Sequence, residues 1–190
     1  MKKILLILSV LFLFACQGNY SPKPRGFFRI DLPEKEYVLF DSIFPYAFEY
    51  PSYGEFVPDR RTSSEPYWGN LEFPQFKGTV HLSYKEVENE GDLVQYFEDA
   101  RSFAQKHIPK ATAISEELLI DDRRKVYGVL YEIKGNEAAS TLQFYVTDSL
   151  DHFLRGALYF SVSPNNDSLG PVIDFLEEDI RHLINTLQWK

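Results

Sequence analysis

The chain has 190 residues, enough for one domain with a real hydrophobic core and too few for two comfortable ones. Apolar residues make up 44% and aromatics 16%, which excludes a largely disordered chain. A formal net charge of −8 disfavours nucleic acid or anionic lipid as a partner of the body, because binding phosphates takes a basic surface.

Lys2 and Lys3 precede an apolar run of 11 residues, Ile4 to Phe14, broken only by Ser9. As a helix the run spans ~16 Å, well short of the ~30 Å hydrocarbon core, so a cleaved signal is expected and a spanning anchor is not. It ends in Leu13-Phe14-Ala15-Cys16, which resembles the bacterial lipobox. The resemblance implies diacylglyceryl transfer to the Cys16 thiol, removal of residues 1–15, and acylation of the new amino group by a palmitate-like chain. Several chains anchor durably where one holds marginally, each buried CH₂ contributing ~0.8 kcal/mol. Loss of Lys2 and Lys3 leaves 18 basic against 28 acidic residues, a net of −10. Cys16 is the sole cysteine, so its modification excludes a disulfide framework, a CxxC pair and a cysteine nucleophile. Gln17 stands where an aspartate signals inner-membrane retention in some bacteria, which leaves the receiving membrane open.

Residues 16–26 then read as a lipidated N-terminus and linker, and 27–190 as a single domain. The polar, proline-bearing stretch of residues 17–26 reaches about 30 Å when extended, enough to lift a domain clear of headgroups. A plain spacer needs neither its cations nor the aromatics behind them. Lys23, Arg25, Phe27, Phe28 and Arg29 are therefore candidate protein-contact residues. From Arg29 to Asp59 the chain is rich in Tyr, Phe and Pro. Only Tyr46 to Tyr50 reads as a strand there, and extended pieces wrapped on the body are expected.

Beyond Trp68 the periods sharpen. Asn70 to Phe73 is a strand stopped by Pro74, and Thr79 to Tyr84 alternates with Val80, Leu82 and Tyr84 on one face. Asp92 with Gln95 resembles a capping box, and Leu93, Phe97, Ala100, Ala104 and His107 step by 4, 3, 4 and 3. This predicts an amphipathic helix over 93–108, ended by Pro109. Strands are expected over 114–121, 125–134, 141–147 and 153–163, joined by polar turns as an antiparallel meander. Pro171 suits the first turn of a last helix with Leu169, Ile173, Leu176, Ile180, Leu183 and Leu187 in one stripe. The order predicts an α+β domain, an antiparallel sheet of about five to seven strands covered by helices. It resembles the PsbP/Mog1-type sandwich.

Signatures of catalysis are missing from the sequence: it has no GxSxG, P-loop, GxGxxG or HExxH. Its histidines, His81, His107, His152 and His182, fall on separate elements. His107 on the helix stripe reads as a packed residue. Glu178 and His182 at i, i+4 are two ligands at most, too few for a metal site. The DDRR turn at 121–124 reads as a solvated cluster of local ion pairs. No catalytic residue, metal or cofactor is expected. Trp68, beside Tyr67, is a further candidate for a protein-binding patch.

Three segments, YSPKPRGFFRIDLP (20–33), WGNLEFPQFKGTVHLSYKEV (68–87) and RGALYFSVSPNNDSLGPVIDFL (155–176), resemble the gliding motility lipoprotein GldD family of the Bacteroidetes. Cys16 takes the lipidated position, and Pro22, Lys23, Pro24, Arg25 and Gly26 match the family's proline-arginine segment. The resemblance implies a lipid-anchored protein facing the periplasm, required for gliding. Its partners would be other gliding and type IX secretion proteins of the cell envelope, with no nucleic acid and no catalytic role. The alternative from another class is a periplasmic small-ligand-binding protein or hydrolase on the same fold.

Overall fold

The computed structural model describes residues 29–190. The lipobox, Lys23, Arg25, Phe27 and Phe28 lie outside the described residues. The body, Asp31–Lys190, is built from strands β1 (Tyr37–Phe40), β2 (Tyr46–Pro51), β3 (Glu55–Pro58), β4 (Gly69–Phe73) and β5 (Gly78–Glu86), helix α1 (Glu90–Gln105), strands β6 (Ala113–Asp121), β7 (Val126–Lys134), β8 (Ser140–Thr147) and β9 (His152–Phe160), helix α2 (Asn166–Thr186) and strand β10 (Gln188–Trp189). A seven-stranded antiparallel sheet runs β3-β4-β5-β9-β8-β7-β6, and β1-β2-β10 form a three-stranded sheet. The α+β class is as expected. The predicted meander is observed as the consecutive neighbours β6, β7, β8 and β9.

Because side chains alternate across a strand, register assigns the two faces of the large sheet. Val80, Leu82, Leu154, Leu158, Phe144, Val146 and Leu130 share one face and are buried. Helix α2 buries Leu176, Ile180, Leu183 and Ile184, and Tyr46 and Phe48 of β2 are fully buried with them. On the other face α1 packs through Leu93, Tyr96, Phe97 and Ala100 against Val87, Phe153 and Tyr145. Ala104 of the same helix meets Val129 and Tyr131.

Four expectations need correction. The 29–59 region is more regular than wrapped extended pieces. β1 pairs with β2, and β2 also receives β10 from the end of the chain, a long-range partner no local pattern discloses. The first helix begins at Glu90 with Asn89 as N-cap, its side chain accepting from Gly91 N and Asp92 N at 2.9 and 3.2 Å. Asp92 instead lies in the first turn, where its Oδ2 accepts from Glu88 N at 3.1 Å and sits at the positive end of the helix. That helix ends at Gln105, and Pro109 falls in a separate 3-10 turn, Ile108–Lys110. Helix α2 begins at Asn166, so Pro171 lies inside it.

Finally, DDRR is more than a solvated turn. Arg124 pairs with Asp121 at 2.9 Å, and its Nη1 donates to the carbonyls of Ile184 and Leu187 at 2.9 and 3.1 Å. It thereby satisfies acceptors at the negative end of α2.

Candidate functional site

The sheet face under α2 carries one polar anomaly, Asp179. It is 1% exposed and lies on the helical face of Leu176 and Leu183, three residues after the first and four before the second. It accepts from Lys35 Nζ at 2.8 Å, Tyr37 Oη at 2.9 Å and Tyr53 Oη. Lys35 also donates to Phe175 O at 2.7 Å and sits 3.9 Å from the Phe175 ring centroid. Burial and the Asp179 carboxylate push both tyrosine pKa values far up, so the phenols stay protonated as donors. This cluster clamps the first segment of the body onto α2. It is paired throughout and reads as structure.

Glu178 and His182, considered above as two metal ligands, face different partners. Glu178 is 3.3 Å from Lys35. His182 stacks on Tyr37 with centroids 3.6 Å apart and meets Glu49 Oε2 through Nε2 at 2.7 Å. Among the described residues no group of three or more His, Cys, Asp or Glu could hold a metal ion. His81 faces Asn70, with Nδ1 2.6 Å from Oδ1. An amide oxygen only accepts, so Nδ1 carries the proton. Burial and the Arg61 charge lower its pKa. A neutral histidine oriented by an amide is not a general base backed by a carboxylate.

The α1 side differs. The helix covers only part of the sheet, and between its exposed flank and β5–β9 lies a groove of about 390 Å³. Trp68, Ser83, Lys85, Tyr96, Phe103 and Arg155 line it. Trp68, singled out from the sequence, is here: half-buried, with its indole N–H donating to Tyr84 O at 2.8 Å. One polar edge is satisfied while the ring contributes to the groove wall. Lys85 pairs with Glu65 and stands 5.8 Å from the Trp68 ring and 6.0 Å from Tyr96. Phe103, 41% exposed, is flanked by Lys106 at 4.5 Å and Arg155 at 4.6 Å. Arg155 Nη2 donates to Gln143 Oε1 at 2.7 Å. Burial, opposed weakly by Tyr159, depresses the Arg155 pKa.

Sequence reasoning placed Trp68 in a patch and missed Arg155, Lys85, Tyr96 and Phe103. The signal for Arg155 was present: it is a lone cation inside a strand otherwise built of Phe, Leu, Gly, Ala and Tyr. Arg29 is exposed and lies on no element that lines the groove.

The molecule is thus an α+β body with one sheet face sealed and an aromatic groove on the other. Across residues 17–189 the chain matches the family model described as gliding motility lipoprotein GldD, and it belongs to that family. The match begins at the residue after Cys16 and includes Trp68 and all residues of the groove. No curated protein matches the chain. Among solved structures, cyanobacterial PsbP (CyanoP) from Synechocystis sp. PCC 6803 is similar at 11% identity, with 90% of this chain and all of that chain covered and a TM-score of 0.48. The fold class rests on the coordinates and not on that distant likeness. The protein is a gliding motility lipoprotein, which implies membrane anchoring. No helix of the described residues is long and apolar enough to cross a membrane.

Proposed function

We propose that this lipoprotein is a non-catalytic component or assembly factor of the gliding and type IX secretion machinery, held by lipid on Cys16 and facing the periplasm. The observation that carries this reading is the family match over residues 17–189. The tether positions the body, and the body offers its α1-side groove with Trp68 to other envelope proteins, since Trp, Tyr and Arg are the residues that dominate such contacts. Lys23, Arg25, Phe27, Phe28 and Arg29 are further residues proposed for protein contact.

Cys16→Ala tests the anchor: the variant is expected to leave the membrane fraction and to lose gliding. Membrane fractionation with normal gliding would refute the lipid role. Replacing Pro22–Arg25 with a Gly/Ser run of equal length separates a contact segment, which loses gliding while staying membrane-bound, from a pure tether, which tolerates the change. The hydrolase alternative finds no support in His81, whose ring nitrogen is committed to Asn70.

A further inference from the structure

The α1-side groove contains a half-buried cation, Arg155, that the fold does not neutralise. Among the described residues Arg155 has no carboxylate partner, whereas Lys35, Lys85, Arg124 and Arg181 all do. Its Nη2 donates to Gln143 Oε1, and its other side-chain partners are Tyr159 and the Phe103 ring. Gln143 is itself 1% exposed, and its Nε2 has no acceptor. A buried amide donor without an acceptor thus adjoins a half-buried guanidinium without a carboxylate on one patch of sheet. Leaving a buried donor unpaired is destabilising. Folded proteins concentrate such costs where a ligand completes the set.

The surroundings state what the ligand must be. A guanidinium held by an amide and a phenol and lacking a carboxylate of its own suits one planar anion such as a carboxylate. Lys106 adds positive charge beside Phe103, Lys85 is paired with Glu65, and Asp99 is the one acid in the lining. This is a local reversal in a chain of net charge −8. Trp68, Tyr96 and Phe103 supply walls for an apolar or aromatic group next to that carboxylate. The volume of about 390 Å³ lies toward the small end of ligand pockets, room for about two side chains and not for an extended chain.

We propose that the groove between α1 and strands β5 and β9 binds an acidic peptide segment of a partner protein, with a Glu or Asp carboxylate on Arg155 and a neighbouring aromatic side chain between Trp68, Tyr96 and Phe103. This deepens the reading of the groove as the contact surface by naming the chemistry of the partner.

Calorimetric titration of the purified full-length lipoprotein in detergent tests it. The probes are the peptide Ac-Gly-Glu-Phe-Gly-amide and its glutamine analogue Ac-Gly-Gln-Phe-Gly-amide. The glutamate peptide is expected to bind with a Kd of about 1 mM or tighter, as fits so small a ligand. The glutamine peptide should bind roughly tenfold more weakly, the loss of one charge-assisted contact. Arg155→Gln should erase the difference between the two peptides. Phe103→Ala, at a partly exposed position where folding is insensitive, should weaken both peptides several-fold and keep their ratio. Equal binding of the two peptides or no binding of either would overturn the proposal. The readout is a purified protein with a synthetic peptide, so its failure is distinct from a failure of the anchoring reading, which is scored by gliding.

Discussion

The two faces of the seven-stranded sheet obey opposite rules. Under α2 and β2 the face is sealed, and its one buried charge, Asp179, has three donors around it. Under α1 the face is half covered, and its half-buried charge, Arg155, leans on an amide that is itself short of an acceptor. A sealed face maximises apolar burial and tolerates polar groups only when they are satisfied. A half-open face forgoes some of that burial and can hold groups whose partners arrive from outside. The sealed face holds the fold, and the half-open face leaves Phe103 partly exposed beside Arg155.

The largest effect should come from opening the sealed face. Leu176 is fully buried against it, and Leu176→Ala is expected to destabilise the protein by about 2–5 kcal/mol through lost transfer energy and a residual cavity. Urea unfolding of the variant checks this, and a loss below about 1 kcal/mol would mean the face is looser than its burial indicates. Next is the polar exception on the same face. Asp179→Asn keeps the volume and removes the charge that Lys35 faces, with an expected loss of about 2–3 kcal/mol, since Lys35 itself remains partly in water. Proteolysis should then cut the 31–37 segment sooner than in the parent, because its clamp on α2 is weakened.

The smallest effect belongs to the open face and is read with pH. His81 and His107 both have pKa values lowered from 6.5, first by burial and then by the Arg61 and Arg155 charges respectively. In that case the unfolded chain binds protons that the folded chain refuses, so this stability is complete above about pH 6.5 and is lost as pH falls below it. Asp59, Asp121 and Asp148 have lowered pKa values and respond only in more acid solution, below about pH 4. Unfolding midpoints are expected to drop between pH 7 and pH 5, and the drop should shrink in His81→Gln. An unchanged slope in that variant would assign the effect elsewhere.

Much of this was legible in the sequence, for a local reason. The alternation at Val80, Leu82 and Tyr84 and the stripe through Leu176, Ile180 and Leu183 record which side of an element faces apolar neighbours, and the structure buries these residues. Helix boundaries were less legible. Asn89 and Asp92 are both competent caps, and the choice of Asn89 follows from where the chain leaves β5, a matter of tertiary placement. Trp68 was found because a large aromatic ring beside Tyr67 is conspicuous. Arg155 was not, because a cation in a strand reads as solvent-facing until something covers it.

By itself the sequence determined the sheet-and-helix order, the meander, the apolar faces and, through three long segments, the family. These depend on neighbours a few residues apart, or on words long enough to be specific. Tertiary structure alone decided that β10 returns to β2, that Arg124 holds the end of α2, and that Asp179 meets Lys35, Tyr37 and Tyr53. It also decided that Trp68, Lys85, Tyr96, Phe103 and Arg155 surround one groove. Residues 68 and 155 share no local pattern. They become neighbours only because antiparallel pairing sets β9 beside β5, with α1 across them, and that pairing is a property of the whole buried sheet.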